Sequence, residues 1–319
     1  MKKWISLCLI LMLSTLFFGN ALGESAPVRV GALKGPTAMG MVKMMSDWEG
    51  NGFTFQISSA IDEIIPQVVQ GKLDITALPA NLASVLYHNT KGELYVLAIN
   101  TLGVLYIVET GDSVESIEDL RGRTLFASGK GATPEFALNY ILSANGISPE
   151  TDVTIEWKAE HTECVAALST SKNGIALLPQ PFVTTAQMKN DTIRIALDLT
   201  EEWEKAADTE TPSSLITGVV VARKSFADEN PDKISTFLNN YAISVSYVNA
   251  NIPEAAALIG QYDIVPAPVA EKALPYCNIV FWEGAKMQQA LNGYLAVLMK
   301  QNEKSVGGAL PDATFYYAR

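Results

Sequence analysis

Side chains that carry catalysis or hold metal ions are scarce in this sequence. Its 319 residues include only two His and three Cys. The motifs H-E-x-x-H, C-x-x-C and G-x-S-x-G are absent, and so is the phosphate-binding G-x-x-x-x-G-K-[ST]. His161 and Cys164 could meet on one helix face, which is a weak signal for a nucleophile pair. No group of residues has metal-ligand spacing. The sequence therefore predicts no metal site, no cofactor and no catalysis.

Charge is also sparse and mostly negative. Charged residues make up 18% of the chain, and the formal net charge is −11. A nucleic-acid partner needs a basic surface, so this balance argues against one. Hydrophobic residues make up 48%, which supports large cores and argues against disorder. A length of 319 residues allows two domains of ordinary size.

Beyond its N-terminus, the sequence lacks an apolar run long enough to span a membrane. The N-terminus begins with M-K-K, continues with the apolar stretch 5–18 and reaches A-L-G at 21–23, with small residues suited to cleavage. The stretch is shorter than the roughly 20 residues of a spanning helix. We therefore predict a signal peptide over residues 1–23 and export in soluble form, either periplasmic or extracellular. No Cys lies close to the cleavage site, so we expect no lipid anchor.

Two cysteines remain after cleavage, Cys164 and Cys277. An exported protein could join them in a disulfide, but the sequence does not supply the geometry that this bond needs. They are far apart in the chain and fall in different predicted halves. This favours two separate, mostly buried thiols, and their pairing stays open.

A strand–turn–helix pattern occurs twice, a hundred positions apart. Residues 71–82 read G-K-L-D-I-T-A-L-P-A-N-L, and residues 173–182 read N-G-I-A-L-L-P-Q-P-F. Each copy has a buried-type strand, a turn bounded by Pro79 or Pro179, and a helix start. Ligands bind at the carboxyl ends of such strands in open α/β sheets. The repeat therefore predicts two α/β lobes that face each other across a cleft.

Strands and helices alternate in both halves, which predicts mostly parallel sheets with right-handed crossovers. The first lobe is predicted to comprise residues 27–108 and 217–319, and the second lobe residues 112–213. After the chain returns to the first lobe, its pattern is helical. The two connections, near 102–112 and 212–219, would form a hinge.

Six helix starts fall at predicted sheet edges. Free N–H groups and the helix dipole attract anions and polar ligand groups there, although ordinary capping accounts for any single start. Their occurrence in two matched sets is the informative feature. The six are the segments 35–37, 58–59, 79–81, 131–133, 161–162 and 179–180.

Two pairs of side chains are further candidates at the cleft. Lys34 and Lys130 each precede a glycine in matching turns. They are either cationic contacts for an acidic ligand or solvated loop lysines. Tyr87 and Phe182 are the aromatic residues placed nearest the predicted cleft, where a ring could stack on a flat ligand. No Arg falls within the six turns, which weakens the case for a bidentate clamp on a carboxylate or sulfonate.

Five segments spread over nearly the whole mature chain carry a family resemblance. They are K-G-P-T-A-M-G (34–40), G-K-L-D-I-T-A-L-P-A-N-L-A (71–83), G-K-G-A-T-P-E-F (129–136), L-L-P-Q-P-F-V-T (177–184) and G-G-A-L-P-D-A-T-F-Y-Y (307–317). With the leader, they resemble the solute-binding proteins of ABC import systems, in the branch that binds sulfonates, nitrate and thiamine precursors. The resemblance implies a two-lobe periplasmic-binding-protein fold of type II. It also implies delivery of a small molecule to a membrane permease powered by a separate ATPase.

The resemblance also implies, by position, which residues contact the ligand. It implies no cofactor, and we expect a monomer. The implied contacts come from turns of both halves and are Gly35, Pro36, Thr37, Ser59, Ala80, Asn81, Asn100, Thr101, Gly131, Thr133, Gln180 and Pro181.

Two questions stay open from the sequence. Because similar lobes also host chemistry on pyrimidine and menaquinone precursors, the alternative function is an enzyme on the same fold. That alternative needs His88 or His161 to reach the cleft. The ligand is either a small organic anion or a polar heterocycle, since the motifs are specific for the family and weak for the ligand.

Overall fold

A computed structural model describes residues 26–207 and 213–319, and the predicted signal peptide lies outside these ranges. Two mixed β-sheets flanked by helices form the framework, one of six strands and one of five. The strands are β1 (Val28–Leu33), β2 (Phe53–Ser58), β3 (Ile75–Pro79), β4 (Leu94–Leu102), β5 (Leu105–Thr110), β6 (Thr124–Ser128), β7 (Thr154–Lys158), β8 (Ile175–Pro179), β9 (Ile193–Asp198), β10 (Ile216–Arg223) and β11 (Ile279–Trp282).

Helices connect the strands and cover both sheets. None of those in the described ranges has the length and apolar character needed to cross a membrane. The helices are α1 (Pro36–Met39), α2 (Val42–Trp48), α3 (Ile61–Val69), α4 (Ala80–Asn89), α5 (Thr133–Ala144), α6 (His161–Thr170), α7 (Phe182–Lys189), α8 (Leu199–Ala206), α9 (Lys224–Glu229), α10 (Pro231–Ala250), α11 (Ile252–Gln261), α12 (Ala267–Ala273) and α13 (Gly284–Gln301).

The two sheets have matching strand orders, and the repeated segments occupy equivalent positions in them. The first sheet is ordered β11-β4-β10-β3-β1-β2, and the second, in the matching direction, β9-β5-β8-β6-β7. Strand β3 lies between β1 and β10, and β8 lies between β6 and β5. Each repeated strand therefore pairs in parallel with one neighbour, β1 or β6, and antiparallel with the strand that follows a crossing, β10 or β5.

The prediction of mostly parallel sheets is wrong for the strands beside the crossings. The pairings of β1 with β2 and β3, and of β6 with β7 and β8, are parallel, whereas the other five pairings are antiparallel. Strands β5 and β10 enter their sheets from the side where the parallel strands end, so each is antiparallel to both of its neighbours. Strand β11 was not expected, because the sequence after residue 222 reads as helical.

The chain passes between the sheets twice. The first crossing is Gly103-Val104, between β4 and β5, and the second lies between the end of α8 and the start of β10. Residues 105–108, which the sequence pattern assigns to the first lobe, pair with β8 and β9 and so belong to the second sheet. The error has a local cause, since a break of only two residues separates β4 from β5.

One hydrophobic cluster runs from the first sheet through α13 to the second sheet. Its aromatic centre joins Tyr140 of α5, Trp203 of α8 and Tyr294 of α13. The ring centroids of Tyr140 and Trp203 lie 4.5 Å apart, and those of Trp203 and Tyr294 lie 5.5 Å apart. Cys164 and Cys277 are both buried and free. The two halves therefore share part of their core behind the cleft.

Gly103, at the first crossing, has no room for a side chain. A Cβ atom there would overlap Oγ1 of Thr200 and lie 3.1 Å from the Cβ and Cγ2 atoms of Thr200. We expect Gly103→Ala to lower the free energy of unfolding by about 1–3 kcal/mol, because overpacking of this kind forces side chains or backbone to shift. Urea denaturation of the mature protein measures the change.

Thr200 supplies the control for this prediction. Its Oγ1 is buried without a hydrogen-bond partner in the described part of the chain, so Thr200→Ala alone should cost little. Combined with Gly103→Ala, it should restore most of the lost stability, since removal of Oγ1 and Cγ2 opens the space. Equal stability of Gly103→Ala and the wild type would show that the crossing is not packed this closely.

Candidate functional site

A cleft between the two sheets contains two neighbouring cavities that share Lys34 and His161. The inner cavity, of about 90 Å³, lies beside the first crossing and between Pro79 and Pro179, the last residues of β3 and β8. The outer cavity, of about 160 Å³, extends to the segment 263–266 before α12. The ends of the matched strands therefore face the inner cavity of the cleft.

Threonine and proline dominate the wall of the inner cavity. The prolines fix the turns at the ends of β1, β3 and β8 and at the start of α5. Four threonines share the wall with them. Besides Lys34 and His161, the lining residues are Leu33, Pro36, Thr37, Pro79, Thr101, Val104, Leu105, Thr133, Pro134, Pro179 and Thr217.

Asn81 is fully buried and joins the two halves directly behind the inner cavity. Its Nδ2 donates to the carbonyl oxygens of Gly131, at 3.3 Å, and Ser305, at 3.1 Å. Its Oδ1 accepts from Oγ1 of Thr133 at 3.3 Å, and the hydroxyl of Tyr294 donates to the same Oγ1 at 3.1 Å. These bonds hold Thr133, at the start of α5, in a fixed position on the cavity wall.

His161, at the start of α6, contributes an uncharged ring to both cavities. Burial lowers the pKa of His161 to about 4, so the imidazole is neutral throughout the physiological pH range. Its Nδ1 and Oγ of Ser128 share a hydrogen bond of 2.5 Å, and its ring lies 4.9 Å from that of Phe182. The residue-by-residue resemblance did not include His161 among the ligand contacts. Its place at a helix start was the available signal.

The nucleophile pair considered from the sequence does not form a reactive arrangement. Burial raises the pKa of the Cys164 thiol to about 11, so the thiol stays protonated at neutral pH and is a poor nucleophile. The other histidine, His88, bonds through Nε2 to the carbonyl oxygen of Ala309 at 2.7 Å and lines neither cavity.

Lys34 is the only cationic side chain among the residues that line the two cavities. Its Nζ lies 3.3 Å from Oδ2 of Asp263, which is almost fully exposed, and Glu160 lines the same outer cavity. Lys130 is exposed and lies in a separate surface groove with Glu150 and Trp157. This position agrees with the second alternative, a solvated loop lysine. The outer cavity therefore carries mixed charge, and the inner cavity has one cation at its edge.

The residues implied by the resemblance divide into those that line the cavities and those that support them. Pro36, Thr37, Thr101 and Thr133 line the inner cavity, and Ser59 lines the outer one. Phe182, the separate aromatic candidate, also lines the outer cavity. The remaining implied residues line neither cavity and are adjacent in the chain to these residues or to the strand ends: Gly35, Ala80, Asn81, Asn100, Gly131, Gln180 and Pro181.

Tyr87 lies away from the cleft, contrary to expectation. Its hydroxyl donates to Oδ1 of Asp312 at 2.9 Å and is 2.8 Å from Oγ1 of Thr314, and its ring packs 5.0 Å from that of Phe315. The side chain points from α4 to the C-terminal segment, because that face of the helix carries the core contacts. The direction of the Tyr87 side chain depends on the face of α4 from which it projects, and not on how close Tyr87 is in sequence to the turn at Pro79.

Gln180 borders a larger groove, of about 750 Å³, between the second sheet and the segment 272–276 of the first half. This groove also contains Met188, Ile195 and Tyr276, whose apolar surfaces are exposed. Its wall lacks the starts of α1, α5 and α6, which border the inner cavity. We therefore assign the candidate ligand site to the cleft. Residues 26–207 and 213–319 contain no group of three or more His, Cys, Asp or Glu that could hold a metal ion.

Comparison with protein families and curated proteins gives one match. Residues 39–266 match the model of the family described as "ABC transporter, phosphonate, periplasmic substrate-binding protein". The match covers more than two thirds of the 319 residues. No curated protein matches the sequence of the chain.

Solved structures of ABC transport proteins have similar folds. An ABC transporter protein from Parabacteroides distasonis is 21% identical, with 92% of this chain and 99% of that chain aligned at a TM-score of 0.72. The periplasmic aliphatic sulphonate-binding protein SsuA from Escherichia coli is 16% identical, covering 88% and 94%, with a TM-score of 0.68. The alkanesulfonate-binding protein SsuA from Xanthomonas axonopodis pv. citri, bound to MOPS, is 14% identical, covering 91% and 96%, with a TM-score of 0.69. These likenesses confirm the fold class expected from the sequence.

Proposed function

Since this chain belongs to the family of phosphonate-type periplasmic substrate-binding proteins of ABC transporters, we propose that it binds its solute in the cleft between the two sheets. Proteins of this family bind a small molecule in the periplasm and work with a membrane permease. The chain is thus the binding component of an ABC importer and not an enzyme. The observation that supports the cleft is the inner cavity between the ends of the matched strands β3 and β8.

The contacts proposed here combine cavity-lining residues from both sequence and structure. Lys34 would neutralise an anionic group, His161 and Phe182 would form one wall, and the threonines would contact polar atoms. We propose direct contacts from Lys34, Pro36, Thr37, Ser59, Thr101, Thr133, His161, Phe182 and Thr217, supported from behind by Gly35, Ala80, Asn81, Asn100, Gly131, Gln180 and Pro181.

A small organic anion is favoured over a polar heterocycle. The matching family is described by phosphonate, and two structural relatives are named for sulfonates. Both groups carry three oxygens on a compact tetrahedral centre. The inner cavity, of about 90 Å³, would hold such a head group, and the outer cavity, of about 160 Å³, would hold a short organic substituent.

We further propose that the two sheets mark two lobes, with hinges at the two crossings, one at 103–104 and one between α8 and β10. Solute binding would favour the closed arrangement over an open one. Residues 1–23 would be removed as a signal peptide during export, leaving a soluble monomer without a lipid anchor.

A thermal-shift screen of the mature protein tests the proposed function. Methylphosphonate, methanesulfonate, nitrate, bicarbonate, pyrimidines and amino acids form a suitable panel. A ligand at a hundred times its dissociation constant adds about 2.7 kcal/mol of stability, which gives a clear rise in Tm. Small-angle scattering with the stabilising solute should show a smaller radius of gyration, because the lobes close.

The variant Phe182→Ala tests whether the stabilising solute binds in the cleft. Loss of the ring beside His161 should weaken binding, whereas Phe281→Ala, an aromatic substitution outside the two cavities, should leave it unchanged. If the stabilising solute bound equally well to Phe182→Ala and left the scattering unchanged, the cleft would not be its site.

A further inference from the structure

The groove between the second sheet and the segment 272–276 lies outside the two cavities of the cleft. Its volume of about 750 Å³ falls within the roughly 300–1,000 Å³ of ligand pockets in proteins. One wall comes from β5, β9, α7 and the turn after β8, and the facing wall comes from Lys272 and Tyr276 of the first half. Helices α7 and α12 contact each other, so packing between the halves holds the two walls in place.

Gln180 is a buried wall residue of this groove, with 2% of its surface exposed. Its Oε1 accepts from the backbone N–H and from Oγ1 of Thr184, at 3.3 and 2.9 Å. Because a backbone N–H can only donate, the first bond fixes which end of the amide is the oxygen. Nε2 has no hydrogen-bond partner in residues 26–207 and 213–319 and is not fully buried. Since Gln180 lines neither cavity of the cleft, its free N–H groups open into the groove.

Tyr106, on β5, brings a second unpaired donor to the same wall. It is 7% exposed, and its hydroxyl is accessible but bonds to no group in the described part of the chain. Burial and the negative charge of Asp198 raise the pKa of Tyr106 to about 12, so the hydroxyl keeps its hydrogen at neutral pH. Polar groups in such places are normally hydrogen-bonded. The two donors therefore call for an acceptor from outside the chain, either water or a ligand.

The rest of the wall favours an organic ligand. Met188, Ile195 and Tyr276 expose apolar surface to the groove, and exposed apolar surface with a few polar groups is typical of binding sites. Asp198 lies opposite Tyr106 in the pairing of β5 with β9 and lines the groove with it. A ligand group that accepts from the Tyr106 hydroxyl thus lies near a negative charge, which favours an uncharged acceptor.

An amide group fits this pattern. Its carbonyl oxygen can accept from Tyr106 and Gln180, and its N–H can donate to the carboxylate of Asp198. We propose that the groove is a second small-molecule site, separate from the cleft, which binds an uncharged amide with an apolar substituent. The substituent lies against Met188 and Ile195. The site goes beyond the proposed function and does not depend on the solute of the cleft.

N-acetyl-leucinamide and N-acetyl-leucine form a matched pair of probes. They share their shape and apolar side chain, but N-acetyl-leucine ends in a carboxylate at neutral pH. Isothermal titration calorimetry should give a dissociation constant at least about tenfold lower for the amide, because the carboxylate of the other probe would lie near Asp198. Lys272, the cationic lining residue, is exposed on the facing half, where solvent and salt screen its attraction.

Tyr106→Phe tests the site without removing a bond of the fold. Its hydroxyl has no hydrogen bond within the described ranges, so the free energy of unfolding should not change. Binding of N-acetyl-leucinamide should weaken about fivefold, the usual effect of one lost neutral hydrogen bond. Tyr262→Phe is the matched control, since Tyr262 lies outside the groove and its hydroxyl is also without a hydrogen-bond partner in the described part of the chain. It should bind both probes as the wild type does.

Asp198→Asn tests the role of the charge. Oδ1 of Asp198 accepts from the backbone N–H of Thr200 at 2.8 Å, and asparagine keeps an acceptor for this bond at the start of α8. The substitution removes only the negative charge from the groove. Binding of N-acetyl-leucine should therefore tighten, and the preference for the amide should fall to about twofold.

Three results would overturn this inference. One is the absence of N-acetyl-leucinamide binding to the wild type, or equal binding of the two probes. Another is an unchanged affinity for the amide in Tyr106→Phe. The third is loss of amide binding in His161→Trp, which narrows both cavities of the cleft and would place the probe there. None of these results decides the proposed function, which the thermal-shift screen and Phe182→Ala test with other solutes.

Discussion

Asp74→Ala is expected to lower the free energy of unfolding by about 3 kcal/mol. The carboxylate is nearly buried, with 5% of its side chain exposed, and it lies between two arginines. Oδ1 accepts from Nη2 of Arg29 at 2.6 Å and from Nη2 of Arg223 at 2.8 Å. Removal of one partner from a buried ion pair is costly because the remaining charges lose their compensation. Because Arg223 lies on β10 and Arg29 on β1, the loss would loosen the centre of the first sheet.

Asp47→Ala is the control for Asp74→Ala, since Asp47 pairs with Lys43 at 2.6 Å on the surface, with 43% of its side chain exposed. Such pairs contribute between zero and about 1 kcal/mol. Equal effects of the two substitutions in urea denaturation would contradict the role given to Asp74.

The same carboxylate should make stability depend on acid pH. Burial acts to raise the pKa of Asp74, but its hydrogen bonds with Arg29 and Arg223 outweigh burial and hold the pKa below its usual value. The stabilisation is therefore present above the unfolded-state pKa of about 3.9 and is lost as pH falls through the lower folded-state pKa. The stability difference between the wild type and Asp74→Asn should accordingly be constant near neutral pH and shrink in this acidic range.

His161→Trp is expected to weaken solute binding by at least about a hundredfold, or about 2.8 kcal/mol of binding free energy. His161 lines both cavities, and the inner one has a volume of only about 90 Å³. A larger ring at this position would occupy the space of the ligand. Titration calorimetry with the solute found in the thermal-shift screen measures the loss.

Thr170→Trp is the control for His161→Trp, because Thr170 is exposed at the opposite end of the same helix. It should leave the affinity within about twofold of the wild type. Wild-type affinity in His161→Trp would mean that the solute does not bind at the shared wall of the two cavities. His161→Ala, which enlarges the cavity, separates the effect of blocking from the loss of the imidazole.

The parts of the fold that the sequence predicts are those with a local signal. Strands β3 and β8 each end in a proline before a helix, and their buried residues form short apolar runs. This pattern does not depend on distant contacts, so the repeat could be recognised and the two equivalent positions followed from it. The directions of β5 and β10 depend on which side the chain enters a sheet, and no local pattern carries that information.

The candidate site could be predicted at the level of turns but not of individual side chains. Thr37 and Thr133 are cavity residues because a threonine at a helix start lies at the end of a strand. The ring of Tyr87, about two turns into α4, faces the C-terminal segment instead. The sequence places His161 at a helix start and in a possible nucleophile pair but does not predict its ring as a ligand contact, since its desolvation and its contact with Phe182 arise from packing between α6 and α7.

The position of β10 has a consequence for the order in which the protein can fold as it is synthesised. Strands β3 and β4 are not neighbours, because β10 lies between them, and β10 is followed along the chain by the last third of the sequence. Until residues 216–223 emerge, the first sheet has a gap with two unpaired edges, whereas every strand of the second sheet is already present. The second half can therefore complete its sheet first, although it begins later in the chain. The N-terminal strands keep unpaired edges until β10 is synthesised, and such edges can pair with the wrong strand.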